Sequence, residues 1–261
     1  MNFWNLLSIE FIKVKRSKII PLIFIAPLLV VSSGVASLHR YFTPEYTNAW
    51  AAMFIQSALI YSYYLLPLSM IVICVMIAGR ETAHNGILKM LVLPVNRRAL
   101  SAAKFCVLVL YLLLEIGVFF VVFVVAGLLA TSGAHMSETV PIPYLVSWCV
   151  VLFLTMLPSC IVMWAITVLF EKPLLSIGLN ILLVIPSILA ANTPLWLAYP
   201  SCYSGYFVTR SLHAAVAMDS NTAAMGIGTG ISLLPFITCA ALISALVGWV
   251  AMSRFGKNHM R

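Results

Sequence analysis

The chain has 261 residues, 63% of them hydrophobic and 8% charged, with a net charge of +8 and a mean hydropathy of +1.08. A water-soluble domain cannot carry that composition on its surface, so lipid is the solvent for most of the chain and the positive charge is first a topology signal. Six cysteines with no C-x-x-C pair, five of them inside apolar runs, read as small packing residues rather than a disulfide framework or a zinc site.

Residues 2–18 open the chain as an amphipathic helix. On a helical wheel Phe3, Trp4, Leu7, Phe11 and Val14 share one face, opposite Asn2, Asn5, Lys13 and Arg16. A helix of this kind lies in the membrane interface, with Lys15 and Lys18 reaching for headgroups. It is either a topology anchor or an elbow that also touches a cytoplasmic partner. The apolar run after Lys18 is long enough to span and lacks a small-residue cleavage site, which separates it from a signal peptide.

Crossing the hydrocarbon core with every backbone amide paired takes about 20 mostly apolar residues. Six segments qualify: 19–38, 57–78, 105–130, 144–170, 174–191 and 232–252. The expected fold is an all-α integral membrane protein, a single six-span domain over 1–261. Of its fifteen Lys and Arg residues, all but Arg40 and Arg210 fall on one side of these spans. The positive-inside rule makes that side cytoplasmic and places both termini there.

The connection 79–104 is the most informative stretch. A topology anchor needs only basic residues near helix ends, whereas RETAHNGILKMLVLPVNRRALSAAK adds a helical apolar pattern through Ala83, Ile87, Met90 and Leu91 and a stop at Pro94. Apolar side chains on a short cytoplasmic helix dock either on the membrane surface or on another protein. Arg97, Arg98 and Lys104 follow, with lipid headgroups as their plain partners.

Glu115, about eleven residues beyond Lys104, falls roughly 16 Å into a core about 30 Å thick. It is the one Asp, Glu, Lys, Arg or His within the six segments. A charge there costs at least about 2.5–3.5 kcal/mol. Two readings stand: a neutral acid hydrogen-bonded to Asn180, Thr155 or Thr167 of another helix, or a group lining a translocation path together with Asn180.

Between the last two spans, 192–231 carries Trp196, Tyr199, Tyr203, Tyr206 and Phe207 at about one-turn spacing. These form an aromatic interface belt or an external lid. Pro21, Pro27, Pro67, Pro158, Pro186 and Pro235 interrupt spans and permit kinks, for packing or as hinges.

Glu81, Gly86 with Ile87, Leu88 and Lys89, then Leu91, Pro94, Arg97 or Arg98, and Lys104 resemble the loop between the second and third spans of type-2 ABC transporter permeases. The whole chain, with its basic amphipathic start, six spans and aromatic external segment, is similar to the lantibiotic-immunity and bacitracin-resistance permeases. The resemblance implies that Arg80, Glu81, Gly86, Ile87, Leu91, Pro94, Arg97 and Arg98 form a coupling loop seated on a separate ATPase. It also implies short re-entrant helices within 192–231, and a second permease subunit, identical or a sister protein. ATP and Mg would be held by the partner, with no cofactor on this chain. The implied role is expulsion of an antimicrobial peptide across a bacterial plasma membrane.

Other classes lack their residues. There is no G-x-x-x-x-G-K-[ST] loop, and Gly226, Gly228 and Gly230 enter a membrane helix without the strand a dinucleotide site needs. His39, His135 and His213 are scattered without metal-ligand spacing, so no metal, no catalytic set and no nucleic-acid partner is expected. The competing transporter reading is a different ABC cargo, a hydrophobic drug or ion, or an autonomous carrier coupled through Glu115.

Overall fold

The computed structural model describes residues 3–15, 19–36, 49–82, 97–133, 140, 142–170, 172–217 and 233–254. All regular structure among them is helical. Short α1 (Phe3–Lys15) precedes α2 (Ile19–Ala36). The next span is composite: α3 (Ala49–Ile60), a π-helical turn (Tyr61–Leu65) and α4 (Leu66–Thr82). Then come α5 (Arg97–Gly133), α6 (Ile142–Phe170) and α7 (Pro173–Val184) with its short continuation α8 (Ser187–Ala191). Two 3-10 turns (Pro194–Ala198, Pro200–Cys202) lead into α9 (Tyr203–Ala217), and α10 (Leu233–Arg254) closes the described chain.

Six helices have membrane length and apolarity: 19–36, 53–79, 98–131, 142–170, 173–191 and 234–254. Each coincides with an expected span. Helix α6 is the hub, packed by α4, α5, α7, α9 and α10, while α5 also packs α1 and α2. The interior is filled by large side chains such as Phe54, Tyr61, Phe119, Phe123, Trp148 and Met156, and lipid-length rows of Leu, Ile and Val face outward. That inversion of the soluble pattern follows from lipid being as apolar as the core.

The prolines act differently by position. Pro173 opens α7 at its first turn, where a missing N–H costs nothing. Pro186 interrupts the fifth span, separating α7 from α8. Pro67 follows the π turn. A proline ring clashes with the carbonyl four residues back and has no N–H to give. The helix relieves this by widening for one turn, with the Leu66 N–H reaching back five residues to the Tyr61 carbonyl.

One boundary differs from expectation. Helix α5 begins at Arg97, so Lys104 lies two turns inside a helix rather than at the end of a loop. At 1.5 Å per residue α5 is about 55 Å long, well beyond a core of about 30 Å. Its first turns therefore project from the hydrocarbon.

Candidate functional site

Glu115 is the midpoint of α5 and is wholly buried. Its partner is none of the three expected residues. Ser69 Oγ of α4 lies 2.5 Å from Glu115 Oε1 and 2.8 Å from the Leu66 carbonyl. The Ser69 hydroxyl is shared between the two, donating to Glu115 Oε1 and to the Leu66 carbonyl. Glu115 Oε2 is buried with no hydrogen-bond partner among the described residues. Thr155 and Thr167 instead bond back to carbonyls of their own helix, and Asn180 donates its amide to Ser176 O of α7. Asn180 Oδ1 is buried without a described partner, and the structure does not bring it to Glu115.

The π turn joins the middle of α5 to α9. Tyr61 stacks on Phe119 with ring centroids 4.4 Å apart, and its hydroxyl donates to the Glu115 carbonyl at 3.4 Å. One residue on, the Ser62 carbonyl has no N–H available from Pro67. Ser204 Oγ of α9 donates to it at 2.9 Å. Tyr63 then reaches Thr209 Oγ1 at 3.1 Å, and its ring lies where a Cβ on Gly205 would be. Only glycine permits that approach. Sequence reading singled out Pro67 but not the π turn, Ser69 or Ser204. The signal available was a proline mid-span with Ser on both sides.

The aromatic side chains between the last two spans pack against one another and against α10. Trp196 stacks on Tyr206 at 4.1 Å, and Trp196, Tyr203 and Phe207 surround Phe236 of α10. Tyr203 is fully buried and donates to Leu197 O at 2.5 Å, while Tyr199 donates to Leu183 O. Arg210 sits over the Tyr206 ring at 5.6 Å. Tyr203 is thus a packing residue rather than an exposed belt residue, and its spacing alone could not tell the two apart. A narrow cleft with space for about one water lies under α9, between Trp148 and Thr155 of α6 and Ser204 and Ser211.

At the opposite end of α5, Lys104 and Glu10 form a buried ion pair at 2.8 Å, with side chains 2% and 3% exposed. Lys13 adds a second contact to Glu10 at 2.7 Å. Burial alone would raise the Glu10 carboxyl, but the Lys104 and Lys13 ammonium groups outweigh it and hold it below its ordinary value of 4.5. Lys104 was expected at lipid headgroups; it faces a carboxylate instead. The inward face of α1 is Leu6 and Glu10, one helical turn apart, seated on Leu100, Ala103 and Lys104. Trp4, 74% exposed, and Phe11 of the expected apolar face point away from the bundle, as a helix in the interface requires.

For the expected coupling loop, Arg80 and Glu81 stand on the last turns of α4, and Arg97 and Arg98 open α5 with Arg98 exposed. Gly86, Ile87, Leu91 and Pro94 lie outside the described residues.

Six membrane-length helices, with Glu115 buried at the middle of the longest and a further helix lying against that helix near its start, define a polytopic membrane protein. Residues 6–187 match the family described as ABC-2 family transporter protein, and the chain belongs to that family. No curated protein matches it. The matched region includes Glu10, the π turn, Lys104, Glu115 and Asn180, and stops before the aromatic segment that begins at Trp196. Membership implies the membrane subunit of a transporter, with a cytoplasmic ATPase as partner rather than an ATPase site of its own.

Proposed function

We propose that this chain is the permease subunit of an ATP-driven exporter that removes lantibiotic-like antimicrobial peptides from the membrane, with both termini and the 79–104 connection cytoplasmic. The observation that carries the reading is α5, an unbroken helix of about 55 Å running from the basic connection past the bundle centre. A push on such a rod at Arg97 is felt along its whole length. ATPase closure beneath residues 80–98 then tilts α5 and, through the π turn, shifts the outer segment capped by Trp196, Tyr199 and Tyr206. Lipid-facing apolar rows on the other spans, with the second span largely buried among them, suit a cargo that enters sideways from the bilayer. A second permease subunit, identical or related, would complete the path. A hydrophobic drug or ion would use the same machinery, and cargo is what the test separates.

The test is survival of cells expressing the chain, its ATPase and any sister permease, challenged with nisin. At least a tenfold rise in tolerated peptide that requires the ATPase's catalytic glutamate is expected. No change with all subunits present would eliminate the peptide assignment. Glu115→Gln should protect fully, because the amide oxygen can still accept from Ser69 Oγ. Loss of protection by a folded Glu115→Gln protein would instead place the carboxyl's charge in transport, as an autonomous carrier requires.

A further inference from the structure

We infer that the Glu10–Lys104 pair is the pivot about which α5 tilts, fixed by its charges and not only by packing. The inference rests on the ATP-driven permease reading and adds positioning residues to it. Three observations lead there. The pair is almost fully buried between two elements distant in sequence, with Lys13 as a second cation on Glu10. Ions are expensive to bury, and apolar residues of similar volume commonly hold helices together as well or better, so cohesion alone does not account for the choice. What an ion pair adds is direction: a 2.8 Å charge-assisted bond sets both distance and angle, whereas Leu6 against Leu100 and Ala103 permits sliding.

The second observation is depth. Lys104 lies eleven residues, about 16 Å, from the helix midpoint, at the edge of a core about 30 Å thick. The third is the anchor. Helix α1 exposes Trp4, Phe11 and Ile12 on the side away from α5, a surface suited to the lipid interface. A helix held in the membrane plane and bonded to α5 at one level is a fulcrum. About 10 Å of α5 lies on the Arg97 side and about 44 Å on the other, so a small displacement at the input end is enlarged at the outer end and reversed in direction.

The experiment uses the chain assembled with its ATPase in lipid nanodiscs, with encoded spin-label side chains replacing Ile12 and Ala102 in one sample and Ile12 and Leu128 in another. Dipolar distances are compared without nucleotide and after trapping with ATP and vanadate. A tilt of about 10° carries the outer label about 6 Å, given a lever of 24 residues, and should leave the inner distance within about 1 Å. In E10M/K104M, which keeps volume and is expected to fold, the inner distance should spread or shift by several ångströms, and the outer shift should shrink at least twofold. The reversed pair E10K/K104E, with K13E to keep the second contact opposite in sign, should restore both. An inner distance that moves as much as the outer one, or an apolar pair that behaves as wild type, overturns the pivot while the permease reading stands. A wild-type chain that captures no ATPase overturns both.

Discussion

Glu10 shows how one side chain outside the apolar stripe of a helix can set the face that the helix turns to protein. The wheel gathers Phe3, Trp4, Leu7, Phe11 and Val14 on one face, the face an interfacial helix turns to lipid. The face toward protein is chosen by Glu10 meeting Lys104. Since its carboxyl is held below 4.5, its contribution to stability is complete above that unfolded value and is lost as pH falls through the lower folded one. Attachment of α1, followed by proteolysis at residues 16–18, should be insensitive from pH 8 to about 5 and should weaken only in stronger acid. Cleavage rising steadily from pH 8 downward would contradict the pair. At the other end of the bundle, Ser204→Ala would strand the Ser62 carbonyl in a buried site. The expected loss is about 1–3 kcal/mol, read as a lower melting temperature in detergent. Ser69 and Ser204 were not legible as partners, because their reach depends on the local register of another helix.

That register is set at the scale of the element. Six spans were legible to within a few residues, since each is a run of about 20 apolar residues and no other structure satisfies its backbone in lipid. The start of the third was not. Residues 97–104 mix Arg, Ser and Lys with Ala and Leu, which reads as a loop until α1 is present to pair with Lys104. The composite second span was legible only as a kink. Its π turn depends on Pro67, and on what Tyr61, Ser62 and Tyr63 find across the interface. Pro67→Ala tests this against helix propensity, which alone favours Ala by about 3 kcal/mol. Restoring α-helical register would turn the three residues by about 100° and pull Tyr63 from Thr209 and Gly205. The expected outcome is therefore a less stable protein in thermal denaturation, not a more stable one. A gain in stability would mean the π turn is only proline strain.

Across the whole molecule, three joints fall along one rod. Helix α5 meets α1 at Lys104, α4 at Glu115 and the π turn at Phe119, and the π turn in turn holds α9 through Ser204 and Thr209. Contiguous joints of this kind are how displacement at one end of a packed bundle becomes rearrangement at the other. The six-span fold and the family were accessible from apolar runs, basic loops and the patterned connection, while the joints emerge only when helices are placed side by side. The central claim is that this bundle is driven from outside by an ATPase docked on the connection between α4 and α5. Purifying the chain with its candidate ABC ATPase and measuring capture, with and without L91E/P94A in that connection, tests it most directly. A stable complex with the wild-type connection and at least a tenfold weaker one with the variant is the expected result. Equal capture by both, or peptide transport by the chain alone in liposomes without ATP, would contradict it.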